Sequence, residues 1–224
     1  MIGKTNSGII LAILNISAAK SCTVTLTQSG RAFSFSGTGT YMSFKLPSAG
    51  TWTVTTQFNG LTEVKSVMLS PGEVRNLTVL DALYLYNRGT YLTGFGTGWS
   101  RSGTEQANEI LIWSNTYQNA ERGITTRSNG SASLANIRTV EIAYHVGIGI
   151  TEGSNWGSQA KLRVTDTGGT VLKELPFGHA NRNQNATWYV DVSDTSAMAK
   201  FELMVNGGNG SGELRLYSIK LIPG

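Results

Sequence analysis

With Cys22 as its only cysteine, this chain of 224 residues can form neither an internal disulfide nor a thiolate metal cluster. A lone buried thiol is the expected reading, and packing alone must hold the protein together. Charge is sparse too. Only 14% of residues are acidic or basic, and the formal +4 is spread thinly, without the basic stripe that tracks phosphates. A nucleic-acid partner is therefore not expected. No segment reaches the roughly 18–20 apolar residues of a transmembrane helix. The apolar run Ile9–Ile16 is short and interrupted by Asn15, so it reads as a first strand rather than a secretory signal. Long runs of strong helix formers are missing, whereas Thr, Ser, Asn and Gly are frequent, which points to an all-β chain with turn-rich connections.

Catalytic signatures are equally scarce. His145 and His179 lie far apart with no cysteine near either, and no His-Glu-x-x-His spacing occurs. His145 follows an alternating strand and reads as structural. There is no Gly-x-Ser-x-Gly elbow, phosphate loop or dinucleotide fingerprint. The four aspartates, Asp81, Asp166, Asp191 and Asp194, each have a use in turn bonding. Asp166 and Asp194 could join carbonyl oxygens around calcium, yet their spacing carries no specific calcium signal. Glu105, Glu109 and Glu152 are the best acids available for glycoside hydrolysis, and nothing in the sequence pairs them. No enzyme, cofactor or metal is expected.

What is present is period-two alternation. In Gly39–Val54, Tyr41, Phe44 and Leu46 precede Pro47, and Trp52 and Val54 follow Gly50, so the stretch reads as two strands about a turn. Seven short strands up to Asp81, the first two at about 9–16 and 22–28, punctuated by Gly37–Gly39, Asn59-Gly60 and Pro71-Gly72, predict a Greek-key sandwich of immunoglobulin-like or prealbumin-like type over residues 1–81. Lys45, Lys65 and Arg75 would blunt its edges. About eight strands over residues 82–224 fit a jelly-roll β-sandwich. Its last strand, 213–222, carries apolar residues at both parities and reads as central and covered on both faces.

The run Tyr-x-x-Phe-x-Leu-Pro-x-x-Gly-x-Trp-x-Val at 41–54 resembles the small β-sandwich units of the PEGA and carboxypeptidase-regulatory-like families, which implies a spacer or surface module with no catalytic residues. Leu85-Tyr-Asn-Arg-Gly-Thr, Gly96-Thr-Gly-Trp99, Thr139–Tyr144 and Leu214–Leu221 resemble the jelly-roll domains of phage and prophage tail, baseplate or fibre proteins and, more loosely, carbohydrate-binding modules.

Aromatics in polar loops supply the binding case. Trp156, in Glu-Gly-Ser-Asn-Trp-Gly-Ser, has little to cover its indole; the ring could stack on a sugar while Asn155 or Glu152 contacts hydroxyls. The alternative is a loop plug. Tyr117 with Asn115 (Asn119 nearby), Trp99 and His179 are weaker ligand candidates, while Trp52, Trp113 and Trp188 adjoin apolar strand residues and are expected to pack. The resulting expectation is a non-enzymatic phage or prophage structural or receptor-binding component. It would be made in the host cytoplasm and located in the virion or phage tail, with cell-surface polysaccharide, other virion proteins and a homo-oligomer as partners. The alternative is a bacterial carbohydrate-binding or adhesion module.

Overall fold

The computed structural model describes residues 12–101, 104–114, 124–147, 159–177, 183–206 and 212–224. Two compact units divide the chain, one running to Phe58 with Thr62–Asp81, the other made of Asn59–Leu61 and Ala82–Gly224. All regular structure among the described residues is β, and no helix there is long and apolar enough to cross a membrane.

The first unit is built from β1 (Ala12–Gln28), β2 (Ser34–Leu46), β3 (Gly50–Phe58), β4 (Leu61–Leu69) and β5 (Val74–Val79). Five strands form instead of the expected seven. The residues read as breaks, Ser17–Ser21 and Gly37–Gly39, lie inside long strands, and the slack is taken up by a register shift between Ser17 and Cys22. That irregularity lets β1 serve two neighbours: Ile13–Ala18 pairs with β5 in parallel, and Thr23–Gln28 pairs with β3 antiparallel. Leu14, Ile16, Val24, Leu26, Leu46, Trp52 and Val54 fill the core. Cys22 is buried with them as a free thiol, and burial pushes its pKa up.

The Leu-Pro-Ser-Ala-Gly turn is held from outside itself. Gln28 Nε2 donates to Ala49 O (2.9 Å), the Ser48 hydroxyl donates to Gln28 Oε1 (2.5 Å), and the Trp52 indole N–H reaches Ser48 O (3.2 Å). Gly50 sits at φ 114°, a backbone conformation that selects glycine, and a Cβ there would stand 2.9 Å from Gln28 Nε2 and displace that amide. Arg75 Nη1 and Lys65 Nζ donate to the carbonyls of Met68 and Thr78, giving free strand carbonyls a partner.

The second unit is a jelly-roll sandwich. One sheet has the order β14-β11-β16-β6-β7, with β8 also on β16; the other has the order β10-β15-β12-β13, with β9 on β15. Their ranges are β6 Leu83–Asn87, β7 Thr90–Tyr91, β8 Ile110–Ser114, β9 Ile124–Arg127, β10 Ala132–Ser133, β11 Ile137–Val146, β12 Gln159–Asp166, β13 Val171–Phe177, β14 Gln184–Asp191, β15 Met198–Asn206 and β16 Gly212–Pro223. The sheets meet through Val140, Ile142 and Tyr144 on one side and Leu162, Val164, Phe201 and Leu203 on the other, all buried. The Tyr144 and Phe177 rings lie 4.8 Å apart across this interior.

Strand β16 corrects the expectation of a strand covered on both faces. It is central, between β11 and the pair β6 and β8, yet only one face is buried. Tyr144 pairs with Leu216 while Ala143 pairs with Ser218, so Tyr217 is an extra residue in the ladder. This bulge shifts the parity: Leu214 and Leu216 point inward before it, Ile219 and Leu221 after it.

Candidate functional site

The outward parity of the six-stranded sheet makes a continuous surface whose rows follow from the pairing register. One row places Trp113 of β8 opposite Glu213 of β16, whose carbonyl accepts from Gly147 N–H. The next aligns Leu111, Arg215, His145 and Asn185 across β8, β16, β11 and β14. A third carries Ser218, Ala143 and Thr187, with Tyr217 beside them, and a fourth runs Tyr84, Lys220, Glu141, Tyr189. Trp113 is 54% exposed, Tyr189 68% and Tyr84 45%, so three large rings face solvent from this sheet.

Two concavities occupy its first half. One, of about 510 Å³, is lined by Trp113, His145, Gly147, Asn183, Gly212, Glu213 and Arg215; the other, of about 490 Å³, by residues that include Arg88, Glu109, Ala143, Asn185, Thr187 and Tyr217. Their polar groups are tied to one another. Arg215 donates to Glu213 through Nε and to Glu109 through Nη1 (2.8 Å), and His145 Nδ1 meets Asn185 Oδ1 at 3.0 Å. With the amide oxygen accepting, Nδ1 carries the proton and Nε2 is the nitrogen left for a further contact. The Arg88 guanidinium stacks over the Tyr217 ring, 5.0 Å from its centroid. Hydrogen bonding to Glu213 outweighs desolvation and raises the Arg215 pKa, and bonding to Glu141 raises that of Lys220 in the same way.

Such a surface offers broad apolar ring faces interleaved with fixed donors and acceptors. The two carboxylates at the concavities, Glu109 and Glu213, share the Arg215 guanidinium. Among the described residues no cluster of three or more His, Cys, Asp or Glu is placed to hold a metal ion. Asp166 accepts from Thr170 N–H at 2.8 Å, Asp191 bonds Ser193, and Asp194 pairs with Lys173 at 3.0 Å. The expected turn roles account for the first two.

Of the residues singled out in the sequence, Trp156, Asn155, Glu152, Tyr117, Asn115 and His179 lie outside the described residues. Trp99 is described and is only 7% exposed, paired through its backbone with Ser128, so no indole face is turned to solvent there. It packs near Tyr91, whose hydroxyl pKa is driven far up by burial and by the Glu105 carboxylate. Trp52 is fully buried and Trp188 half-buried, as expected. Trp113 is not packed: Ile110 and Ile112 take the inward parity of β8 and leave it outside with Leu111. His145 likewise shares the outward parity of Thr139, Glu141 and Ala143 and stands at the concavity. Parity within these two strands was the available signal for both residues.

No protein-family model matches the chain, and no curated protein matches it in sequence. The likeness of residues 41–54 to PEGA and carboxypeptidase-regulatory-like units therefore rests on that motif alone. Among solved structures, the chain is similar to a carbohydrate-binding module described as belonging to the β-sandwich superfamily, at 15% identity and TM-score 0.31, over 90% of this chain and 84% of that one. It is similar to the family 11 carbohydrate-binding module of Clostridium thermocellum at 10% identity and TM-score 0.29, over 65% and 97%. It is also similar to the enzymatically active domain of tailspike protein 4 of bacteriophage CBA120, at 14% identity and TM-score 0.32, over 56% of this chain and 19% of that one. At these scores the likenesses add no weight beyond the strand order itself, and a fold does not carry a function with it.

Proposed function

We propose that the second unit is a non-enzymatic glycan-binding sandwich, and that the outward face of its six-stranded sheet is the binding surface. The observation that supports this most directly is Trp113, more than half exposed and lining one of two concavities whose polar groups are held in place by one another. A sugar ring has an apolar face for the indole and hydroxyls for Asn185, His145 Nε2 and the Glu213 carboxylate. Groups already fixed by mutual hydrogen bonds lose little freedom when a ligand arrives, which favours binding. The first unit is then a spacer or docking module, and the setting we propose is a virion or a cell-surface adhesin. The sequence resemblance to phage tail domains motivates the virion, and particle proteomics of purified virions tests it.

A glycan array of the intact chain against Trp113→Ala tests the reading. Loss of about tenfold or more in affinity, with an unchanged melting transition, is the expected result, since tenfold corresponds to about 1.4 kcal/mol. Unchanged binding in the variant would place recognition elsewhere. Release of reducing ends from a bound glycan would overturn the non-enzymatic part.

A further inference from the structure

Beyond the two concavities, the same face carries a second aromatic row that neither of them includes. Tyr84 and Tyr189 close its two ends, with Lys220 and Glu141 paired between them and the Lys220 ammonium 5.7 Å from the Tyr84 ring centroid. The rings stand three strands apart, about 14 Å across the sheet. Along β11, six residues separate Gly147, beside the Trp113 row, from Glu141, a run of about 20 Å. Between the two aromatic rows lie the Leu111, Arg215, His145 and Asn185 row and then Ala143, Ser218 and Thr187, with Tyr217 beside them.

The charges on this strip cancel locally. Arg215 is shared by Glu109 and Glu213, Lys220 is paired with Glu141, and Arg88 lies over Tyr217, so three cations face three carboxylates. An anionic polymer would gain little net attraction here and would meet a carboxylate beside Arg215 and beside Lys220. A neutral chain meets ring faces at both ends and amide, hydroxyl and imidazole groups between.

We propose that this face binds the interior of an extended, uncharged polysaccharide along the strand direction, with Tyr84, on the same flank of β16 as Trp113 and about 20 Å from it, as the distal sugar platform. The proposal rests on the reading of the face as a glycan site and adds the ligand class: a chain, not a terminal sugar. Successive sugars along such a chain meet successive rows of the sheet.

Calorimetric titration of the intact chain with cello-, xylo-, manno- and malto-oligosaccharides from disaccharide to hexasaccharide, beside oligogalacturonate, is the test. For the ladder that binds, affinity should rise at least about tenfold from disaccharide to hexasaccharide. Tyr84→Ala should remove that rise and leave disaccharide binding unchanged, Trp113→Ala should weaken both, and Tyr189→Ala, about 14 Å to the side, should change neither. Equal affinity for short and long oligosaccharides would overturn the chain proposal while leaving the glycan reading intact. Tighter binding of oligogalacturonate than of every neutral ladder would overturn the uncharged class. Absence of binding to every ladder would overturn this proposal and the glycan reading together.

Discussion

The outward faces of the two units obey the same alternation and present different chemistry. In the first unit, Ser34, Ser36 and Thr38 of β2 register with Thr27, Thr25 and Thr23 of β1, which register in turn with Thr53, Thr55 and Gln57 of β3. The result is a lattice of short hydroxyls, linked in places, as between Thr23 and Thr38 at 3.1 Å. In the second unit the corresponding outward positions hold Trp113, Tyr217, Tyr84 and Tyr189 among Arg, Lys, Glu and His. Inward parity fills the core in both cases; outward parity separates this hydroxyl lattice from the aromatic and charged face of the second unit, although Tyr41, Val64, Met68 and Val74 are also exposed elsewhere on the first unit. The opposite sheet of the second unit is a third case. There Arg163 bridges Glu174 and Glu202, with Lys161 on the same Glu174, and charges cross-link β13, β12 and β15.

The comparison breaks most visibly if the units depend on one another. Trp52→Ala removes a fully buried ring that stacks near Phe33 and Phe35, and should cost the first unit about 3–5 kcal/mol. Scanning calorimetry should show one transition move down while glycan affinity at the second unit holds; a parallel loss of affinity would contradict the division of labour. A smaller effect separates the charged wall from the binding face. Burial pushes the Glu174 pKa up, but the hydrogen bonds and charges of Lys161 and Arg163 win and hold it below the ordinary carboxylate value. Its stabilisation is thus present above the unfolded pKa of about 4.3 and lost as pH falls through the lower folded value. Glu174→Gln should cost about 0.5–1 kcal/mol at neutral pH, with the difference from wild type shrinking as pH falls below the unfolded pKa and gone beneath the lower folded value, and glycan affinity at pH 7 unaltered. Urea titrations at several pH values measure this. The smallest effect belongs to the hydroxyl lattice: Thr25→Ala with Thr55→Ala should leave glycan binding unchanged, and a loss on the same array would move recognition into the first unit.

The fold was largely readable because an inward face repeats every second residue. Strand β11 and the Tyr41–Val54 motif formed where alternation placed them. Misreadings arose where that period is interrupted. Gly37 and Gly39 suggested a turn but lie within β2, and the extra residue at Tyr217 made a one-sided strand look two-sided. The site was less legible, since it is assembled by register among strands distant in sequence. Asn185 and His145, or Glu109 and Arg215, become neighbours only once β14, β11, β16 and β8 are in order. Trp113 looked packed because its neighbours Ile110 and Ile112 are apolar, yet those two residues are the reason its own side chain points outward. Loop aromatics such as Trp156 drew attention through composition, which carries no register at all.

The extra residue at Tyr217 also sets how this surface can evolve. Downstream of it, Ile219 and Leu221 are in phase with the interior only because the ladder has slipped by one. A single insertion or deletion between Leu216 and Ile219 would expose that apolar pair and bury Lys220 in its place, so selection should hold the length of this segment constant. Substitutions at Arg215, Tyr217 and Lys220, by contrast, exchange groups on the outer side and leave the interior volume as it was. The strand is rigid in count and permissive in content, so a lineage could change what this face recognises one residue at a time while its core stays the same.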